Sequence, residues 1–342
     1  MIEKIKPIIG TAIITPEYTD PATEDMGKAT SVKIKKDKTK NKFFIESADS
    51  FFIKIPLYFH YIKAINMRSI IIFSTVLIKR FYLNRYLFKI KLMNDKSKKI
   101  SLLMVGNSFS YNTVQHLKDL GNLLNIELEV GVLFIGGCSI DTHYENILKD
   151  NHNYEFRYIN NIIDKVVFNY SIKEGLEYKN WDYICFQQAS HYSGEIDSYS
   201  NLIPLMDLIR KDSAAKFIWL NTWSYAKVSP HSEYYRYNHD QKYMYDCIID
   251  VLKKKIINEC KFDTIIPSGI VIQLLRGEVG DIYNLVDGFH LNELGCFVSG
   301  LTLIRTLLDM HIDPNLLPKI PAIPNVIEKI ELGIKELNKI RK

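Results

Sequence analysis

The 342-residue sequence contains little cysteine, and its cysteines do not follow the patterns of disulfide-rich or zinc-binding domains. The five are widely spaced, odd in number and include no C-x-x-C pair. A disulfide framework or a structural zinc site is therefore not expected, and the thiols are predicted to be free and buried. They are Cys138, Cys185, Cys247, Cys260 and Cys296.

The sequence also lacks a signal peptide and a long apolar run. Its first residues are charged and are followed by Pro, Thr and Asp, unlike a secretory signal. The apolar run from Ser69 to Ile78 is flanked closely by Arg68, Lys79 and Arg80, and it is shorter than the ~20 residues that a membrane-spanning helix needs. We therefore expect a cytoplasmic protein.

Motifs of cofactor chemistry are missing as well. The sequence has no phosphate-binding loop of the form G-x-x-x-x-G-K-[ST] and no H-E-x-x-H zinc motif. No other set of residues has the spacing of a metal-ligand cluster. We therefore predict that the protein uses neither a metal ion nor an organic cofactor.

Positive charge is concentrated at one end of the chain. Residues 1–100 contain 20 Lys and Arg against 9 Asp and Glu, a net charge of +11, whereas the remaining 242 residues contain 24 against 30, a net charge of −6. Nucleic-acid binding requires clustered positive charge. Nucleic acid is therefore not expected as the partner of the main domain.

Residues 1–95 differ in composition from the rest. They combine a lysine run, KIKKDKTKNK, with aromatic and isoleucine-rich stretches between residues 51 and 92 that have no clear helix or strand signals. We interpret this segment as a poorly ordered basic extension or as the product of an over-long translation start. The alternative is contact with a membrane surface through residues 51–92.

From Ile100 onwards, short apolar runs alternate with longer helical patterns, which is typical of an α/β domain with a parallel sheet. The domain is assigned to residues 96–312, and residues 313–342 are interpreted as a proline-rich connector and an amphipathic helix. The predicted strands are Ile100–Val105, Leu128–Phe134, Tyr183–Phe186, Phe217–Asn221 and Thr264–Ile266. The predicted helices are Val114–Leu124, Asn201–Lys211, Gln241–Cys260 and Glu293–Leu308.

Ligands of such sheets bind at the carboxyl ends of the strands, so the residues that follow each strand are the candidates for chemistry. The first strand is followed by GNSFS, in which Ser108 either caps the next helix or presents a reactive hydroxyl. The second is followed by IGGCS, in which Gly137 can offer a backbone N–H to an oxyanion or simply form a turn. The third is followed by FQQAS, and the amide of Gln187 or Gln188 could also donate to an oxyanion.

Near the C-terminus, the segment LVDGFHLNELG places Asp287 three residues before His290. A carboxylate beside a histidine fixes the tautomer of the imidazole and stabilises the imidazolium that forms during proton transfer. In isolation the same pattern also fits a helix-capping aspartate followed by a solvent-facing histidine. Together, however, these segments supply a nucleophile, oxyanion donors, a base and a residue that orients the base.

These segments resemble the SGNH (GDSL-type) hydrolases, specifically a bacterial branch of that family. GNSFS resembles the GDS block, the glycine of GGCS the second block, and DGFH the final D-x-x-H block; the similarity extends over about Ile100 to Asp309. The resemblance implies a flavodoxin-like, three-layer α/β/α domain with a parallel five-stranded sheet. It also implies ester hydrolysis by Ser108, His290 and Asp287, with an oxyanion hole formed by the backbone N–H groups of Ser108 and Gly137.

The sequence departs from the family pattern in two blocks. Asn107 replaces the usual aspartate, and we interpret it as a residue that shapes the turn. The third block lacks the usual G-x-N-D asparagine, so we expect Gln188, or alternatively Gln187, to supply the missing oxyanion donor.

The resemblance further implies a small-molecule or glycan ester as substrate, most plausibly a carbohydrate O-acetyl ester. The alternatives are an O-acyltransferase and a non-catalytic carbohydrate-binding or scaffold protein. A group of aromatic and histidine residues near the fourth strand either lines a sugar cleft or packs in the core: Trp223, Tyr225, Tyr234, Tyr235, His191, His231 and His239.

Overall fold

The computed structural model describes residues 12–13, 31–37, 42–46, 52–53, 98–284, 287–318 and 325–342. The chain divides into two units, residues 1–91 and 92–342. In the first unit, four strands pair in sequence order into an antiparallel sheet: β1 (Ala12–Ile13), β2 (Ser31–Asp37), β3 (Lys42–Glu46) and β4 (Phe52–Ile53). The predictions made for residues 1–95, including membrane contact through residues 51–92, fall mostly outside the described residues.

The second unit is built on a seven-stranded sheet with the strand order β11-β10-β9-β5-β6-β7-β8. The five strands from β11 to β6 run parallel, and β7 and β8 extend the sheet as an antiparallel hairpin. The strands are β5 (Lys98–Gly106), β6 (Ile126–Phe134), β7 (Tyr154–Asn160), β8 (Asp164–Tyr170), β9 (Tyr183–Phe186), β10 (Lys216–Leu220) and β11 (Thr264–Ile266).

Helices cover both faces of this sheet. The α-helices are α1 (Ser108–Val114), α2 (Leu117–Leu124), α3 (Ile140–Lys149), α4 (Ile172–Glu177), α5 (Leu202–Asp212), α6 (Gln241–Val251), α7 (Ser268–Val279), α8 (Glu293–Leu308) and α9 (Val326–Ile340). Helix α6 continues as a π-helix over Leu252–Cys260. In the described part of the chain, every helix is too short or too polar to cross a lipid bilayer.

The alternation of side chains along β5 explains the three layers. Leu102 and Met104 point into one hydrophobic core, and Leu103 and Val105 point into the other. Because both faces of the strand are buried, its sequence is a continuous apolar run and does not alternate between apolar and polar residues. The predicted three-layer α/β/α fold is confirmed.

The number and direction of the strands differ from the prediction. All five predicted strands are present, but the sheet has two further strands, β7 and β8, so it is mixed and not purely parallel. Strand β8 is exposed along most of its length, and its short apolar run, Val166 to Phe168, is exposed as well.

Candidate active site

The turn after β5 places Ser108 at the first position of helix α1. A side chain at Gly106 would collide with its neighbours, since a Cβ there would lie 2.2 Å from Ser110 Oγ and 2.9 Å from Gln187 Nε2. The helix cap is Asn107, whose Oδ1 accepts from Phe109 N at 3.1 Å. The alternative that Ser108 serves as the cap is therefore wrong, and its half-buried hydroxyl is not used for capping.

Asn107 also connects three of the segments that follow strands. Its side chain is 1% exposed, and its Nδ2 donates to Cys138 O at 3.1 Å and to Gln188 O at 3.3 Å. The Gln187 carboxamide lies 2.7 Å from Asn107 Oδ1. The asparagine therefore fixes the positions of the second and third segments relative to Ser108, and the interpretation that it shapes the turn agrees with these contacts.

Gly137 lies at the exposed tip of the turn that follows β6. The turn is closed by Cys138 N, which donates to Ile135 O at 3.2 Å. Gly137 has a φ of +62°, and a Cβ added there would meet no atom within 4 Å. Glycine is therefore favoured at this position by the positive φ, and not by a lack of room for a side chain.

The side chains of the two glutamines are both buried. Gln188 is 1% exposed; its Nε2 donates to Ser198 O at 2.8 Å and to Ser198 Oγ at 3.0 Å, and its Oε1 accepts from Ile140 N and Ala189 N. The Gln187 carboxamide is equally buried and lies against Asn107 and Ser110. The contacts of Gln188 disagree with the expectation that it donates to an oxyanion, because its amide nitrogen binds Ser198. The role expected of Gln187 stays a prediction.

Asp287 and His290 form the predicted carboxylate–imidazole pair. His290 Nδ1 lies 2.8 Å from Asp287 Oδ2, and Asp287 Oδ1 accepts from the backbone N–H groups of Phe289 and His290 at 3.0 and 3.1 Å. Burial acts to raise the pKa of Asp287, but these hydrogen bonds outweigh it and hold the pKa below its usual value. The ionised carboxylate places the imidazole proton on Nδ1 and leaves a lone pair on Nε2.

The loop that carries this pair packs on the helix that begins at Ser108. Leu291 N donates to Asn112 Oδ1 in α1 at 3.1 Å, and the ring of Phe109 lies 6.0 Å from that of His290, centroid to centroid. Among the described residues, His290 Nε2 is buried and has no hydrogen-bond partner. The expected hydrogen bond between Ser108 Oγ and His290 Nε2 is thus absent from this conformation; such bonds commonly tighten only when substrate is bound.

A buried arginine anchors the base of the same loop. Arg276 donates to Ser224 O at 3.1 Å, to Asn284 Oδ1 at 3.0 Å and to Asp281 Oδ1 at 2.5 Å. This residue was not predicted from the sequence. Its only signal was a charged side chain within the apolar stretch IVIQLLRGE, which α7 contains.

The aromatic residues near the fourth parallel strand divide into two groups. Trp223, Tyr225 and Tyr234 are fully buried, so core packing is the correct alternative for them. Trp223 stacks on Phe109 with a centroid distance of 4.3 Å, and its Nε1 donates to Phe289 O at 2.9 Å. It therefore joins α1 to the loop of His290. His191 and His231 are half-buried, and Tyr235 and His239 are exposed.

Residues 101–320 match the model of a family described as a domain of unknown function, DUF4886. A crystal structure of a DUF4886 family protein from Bacteroides uniformis is 31% identical, with a TM-score of 0.65, covering 72% of this chain and 97% of that one. No curated protein matches the chain.

Two more distant structures have lower scores. A protein assigned as an SGNH hydrolase from Slackia heliotrinireducens is 18% identical, with a TM-score of 0.38, covering 62% of this chain and 100% of that one. A variant of an acetyl xylan esterase from Geobacillus stearothermophilus is 10% identical, with a TM-score of 0.41, covering 63% of this chain and 97% of that one.

Proposed function

The chain belongs to the DUF4886 family, and we propose that it is a serine hydrolase that cleaves ester bonds through an acyl-enzyme. The observation that carries the proposal is the Asp287–His290 pair. His290 Nδ1 lies 2.8 Å from Asp287 Oδ2, and His290 Nε2 is buried without a hydrogen-bond partner among the described residues. A buried imidazole nitrogen without a partner is costly unless a substrate or a reacting group uses it.

The chemistry requires a proton acceptor for the serine hydroxyl. His290 Nε2 takes the proton as Ser108 Oγ attacks the carbonyl carbon of the ester, and Asp287 stabilises the imidazolium. When the tetrahedral intermediate collapses, the bond to the alcohol oxygen breaks, and that oxygen receives the proton from His290. A water molecule, activated by the same histidine, then attacks the acyl carbon and releases Ser108.

The backbone N–H groups of Ser108 and Gly137 are the proposed oxyanion donors. Ser108 is the first residue of a helix, where backbone N–H groups have no partner within the helix. Gly137 lies at an exposed turn that Asn107 holds through Cys138 O. In well-studied hydrolases, removal of one such donor costs about 10²–10³-fold in rate.

The proposed substrate is an acylated carbohydrate with an acetyl ester. This class comes from the resemblance of GNSFS, GGCS and DGFH to the SGNH hydrolases, some of which act on carbohydrates. The half-buried histidines beside the site are compatible with it.

Hydrolysis of p-nitrophenyl acetate by the full chain tests the proposal. Ser108→Ala is expected to lower kcat/KM by at least about 10³-fold, because the nucleophile is lost. Ser110→Ala makes the same atomic change two residues further along α1, at a buried hydroxyl, and should retain activity within a few-fold. Equal rates for wild type and Ser108→Ala would contradict the proposal.

The same assay separates the alternatives. Absence of turnover with every ester, in a correctly folded protein, would favour a binding or scaffold protein. Transfer of the acetyl group to an added sugar in preference to water would indicate an acyltransferase.

A further inference from the structure

A second histidine, His231, lies beside the Asp287–His290 pair without belonging to it. Its ring contacts Phe289 edge-on at a centroid distance of 4.7 Å, and Phe289 in turn contacts His290 at 4.3 Å. Its backbone is held to the same loop, since His231 N donates to Ser229 Oγ at 3.4 Å and Ser229 Oγ donates to Asp287 O at 3.4 Å. The charge of His290 acts to lower the pKa of His231, and the charge of Asp287 acts to raise it.

The hydrogen bonds of His231 fix its tautomer. Its Nδ1 accepts from Glu233 N at 3.1 Å and thereby caps the 3₁₀-helix over Ser232–Tyr237. The proton of the neutral ring is therefore on Nε2. Burial lowers the pKa of His231 below its ordinary value, so the ring is neutral at neutral pH. Within the described ranges, no hydrogen-bond partner of Nε2 is seen, and His231 is half-buried.

The rings around His231 are aromatic. Tyr225 lies 4.7 Å away and His191 6.1 Å away, centroid to centroid, and burial also lowers the pKa of His191. Arg236 pairs with both Glu233 and Glu195, which leaves one net negative charge in this group. Aromatic rings with one N–H donor and a net negative charge nearby suit an uncharged, hydroxylated ligand better than an anion.

We propose that His231 is a substrate-binding residue whose Nε2–H donates to a hydroxyl or ring oxygen of the sugar alcohol of the ester. This inference rests on the proposed esterase function, and it deepens that function by assigning the subsite for the alcohol portion. The acyl group occupies the opposite side of the scissile bond and does not use His231.

Two substitutions separate binding from a structural role. His231→Asn preserves the helix cap through its Oδ1 but is too short to replace the Nε2–H donor. His231→Gln retains a distal N–H donor and removes the cap. His239→Asn is the matched control, since it makes the same change at an exposed histidine on the following turn, where φ is +52°.

We expect His231→Asn to lower kcat/KM about ten-fold for a mono-O-acetylated methyl glycoside, mainly through KM, because one hydrogen bond to the substrate is lost. Its kcat/KM for p-nitrophenyl acetate, whose alcohol has no hydroxyl to recognise, should change less than about two-fold. His231→Gln should retain more sugar-ester activity than His231→Asn, and His239→Asn should match wild type. Thermal unfolding of each variant reports any loss of the cap.

A structural role would produce a different pattern. If His231→Gln is the worse variant, or if both substitutions affect the two esters equally, the inference is overturned. Titration of wild type and His231→Asn with the deacetylated methyl glycoside measures the binding affinity for a ligand that cannot be hydrolysed. Failure of Ser108-dependent hydrolysis would contradict the proposed function, whereas equal glycoside affinity of the two proteins would contradict the role of His231.

Discussion

The choice of asparagine at position 107 follows from its hydrogen bonds. Two carbonyl oxygens, Cys138 O and Gln188 O, face its amide nitrogen at 3.1 and 3.3 Å. A carboxylate has no hydrogen to donate to either oxygen. The amide thus allows one buried side chain to hold two neighbouring segments beside Ser108, which an ionised aspartate in the same place would not do.

Asn107→Asp should therefore destabilise the protein and weaken catalysis. Two buried carbonyl groups lose their donor and face an acceptor, so we expect a loss of about 2–3 kcal/mol in the free energy of unfolding and at least a ten-fold lower kcat/KM. Urea denaturation and ester hydrolysis measure the two effects.

The matched control for this substitution is Asn160→Asp. The side-chain oxygen of Asn160 accepts from Ile162 N at 2.8 Å and from Ile163 N at 2.6 Å, and a carboxylate preserves both bonds. Equal stability of the two aspartate variants would show that the amide of Asn107 is not needed as a donor.

Individual contacts in the candidate site could be predicted from the sequence only where the two residues are close together in the chain. Asp287 and His290 lie three residues apart on one loop, and their 2.8 Å contact follows from that local geometry. The role of Gln188 could not be inferred, because the direction of its side chain depends on contacts with Ser198 and Ile140. Sequence position identified the correct segment but not which of its groups is available.

Among the secondary-structure elements, helix α3 and strand β7 bury a titratable pair. His143 in α3 is 1% exposed, and its Nδ1 lies 2.8 Å from Tyr154 OH in β7 and 3.5 Å from Cys138 Sγ. Burial lowers the pKa of His143 to about 3. The folded state therefore excludes a proton that the unfolded chain binds below about pH 6.5.

This difference predicts a loss of stability in acid. Because the pKa is lower in the folded state, the contribution of His143 is constant above about pH 6.5 and falls as the pH decreases towards 3, by about 2 kcal/mol near pH 5. The urea midpoint of His143→Gln should decline less than that of wild type between pH 7 and 5. His311→Gln, at an exposed histidine, is the control, and parallel curves for wild type and His143→Gln would contradict the assignment.

The predicted bounds of helices and strands agree with the structure for several buried elements. Strand β9, strand β11 and helix α8 have the predicted bounds, and α9 forms over Val326–Ile340 as expected for an amphipathic helix. The predicted helix Val114–Leu124 is instead two helices, α1 and α2, of which α1 begins at Ser108. Helices α3, α4 and α7 and the hairpin of β7 and β8 were not predicted, although Ser139 caps α3 and Ser171 and Glu174 form a capping box at α4.

At the scale of the whole second unit, the sheet gathers residues that are far apart in sequence. Ser108 follows β5, Gly137 follows β6, and the loop of His290 docks on α1 through Asn112. The parallel arrangement was predictable, and with it the edge of the sheet at which the segments that follow the strands lie. The anchors that hold them in place, Trp223 and Arg276, were not, because they act through contacts that no local pattern records.

The most direct test of the account is covalent labelling of the full chain with a fluorophosphonate, read by intact mass and peptide mapping. One adduct is predicted, on Ser108, formed more slowly in His290→Gln because the base is lost, and absent from Ser108→Ala. An adduct on a different residue, or no adduct on a folded wild-type protein, would contradict the assignment of Ser108 as the nucleophile.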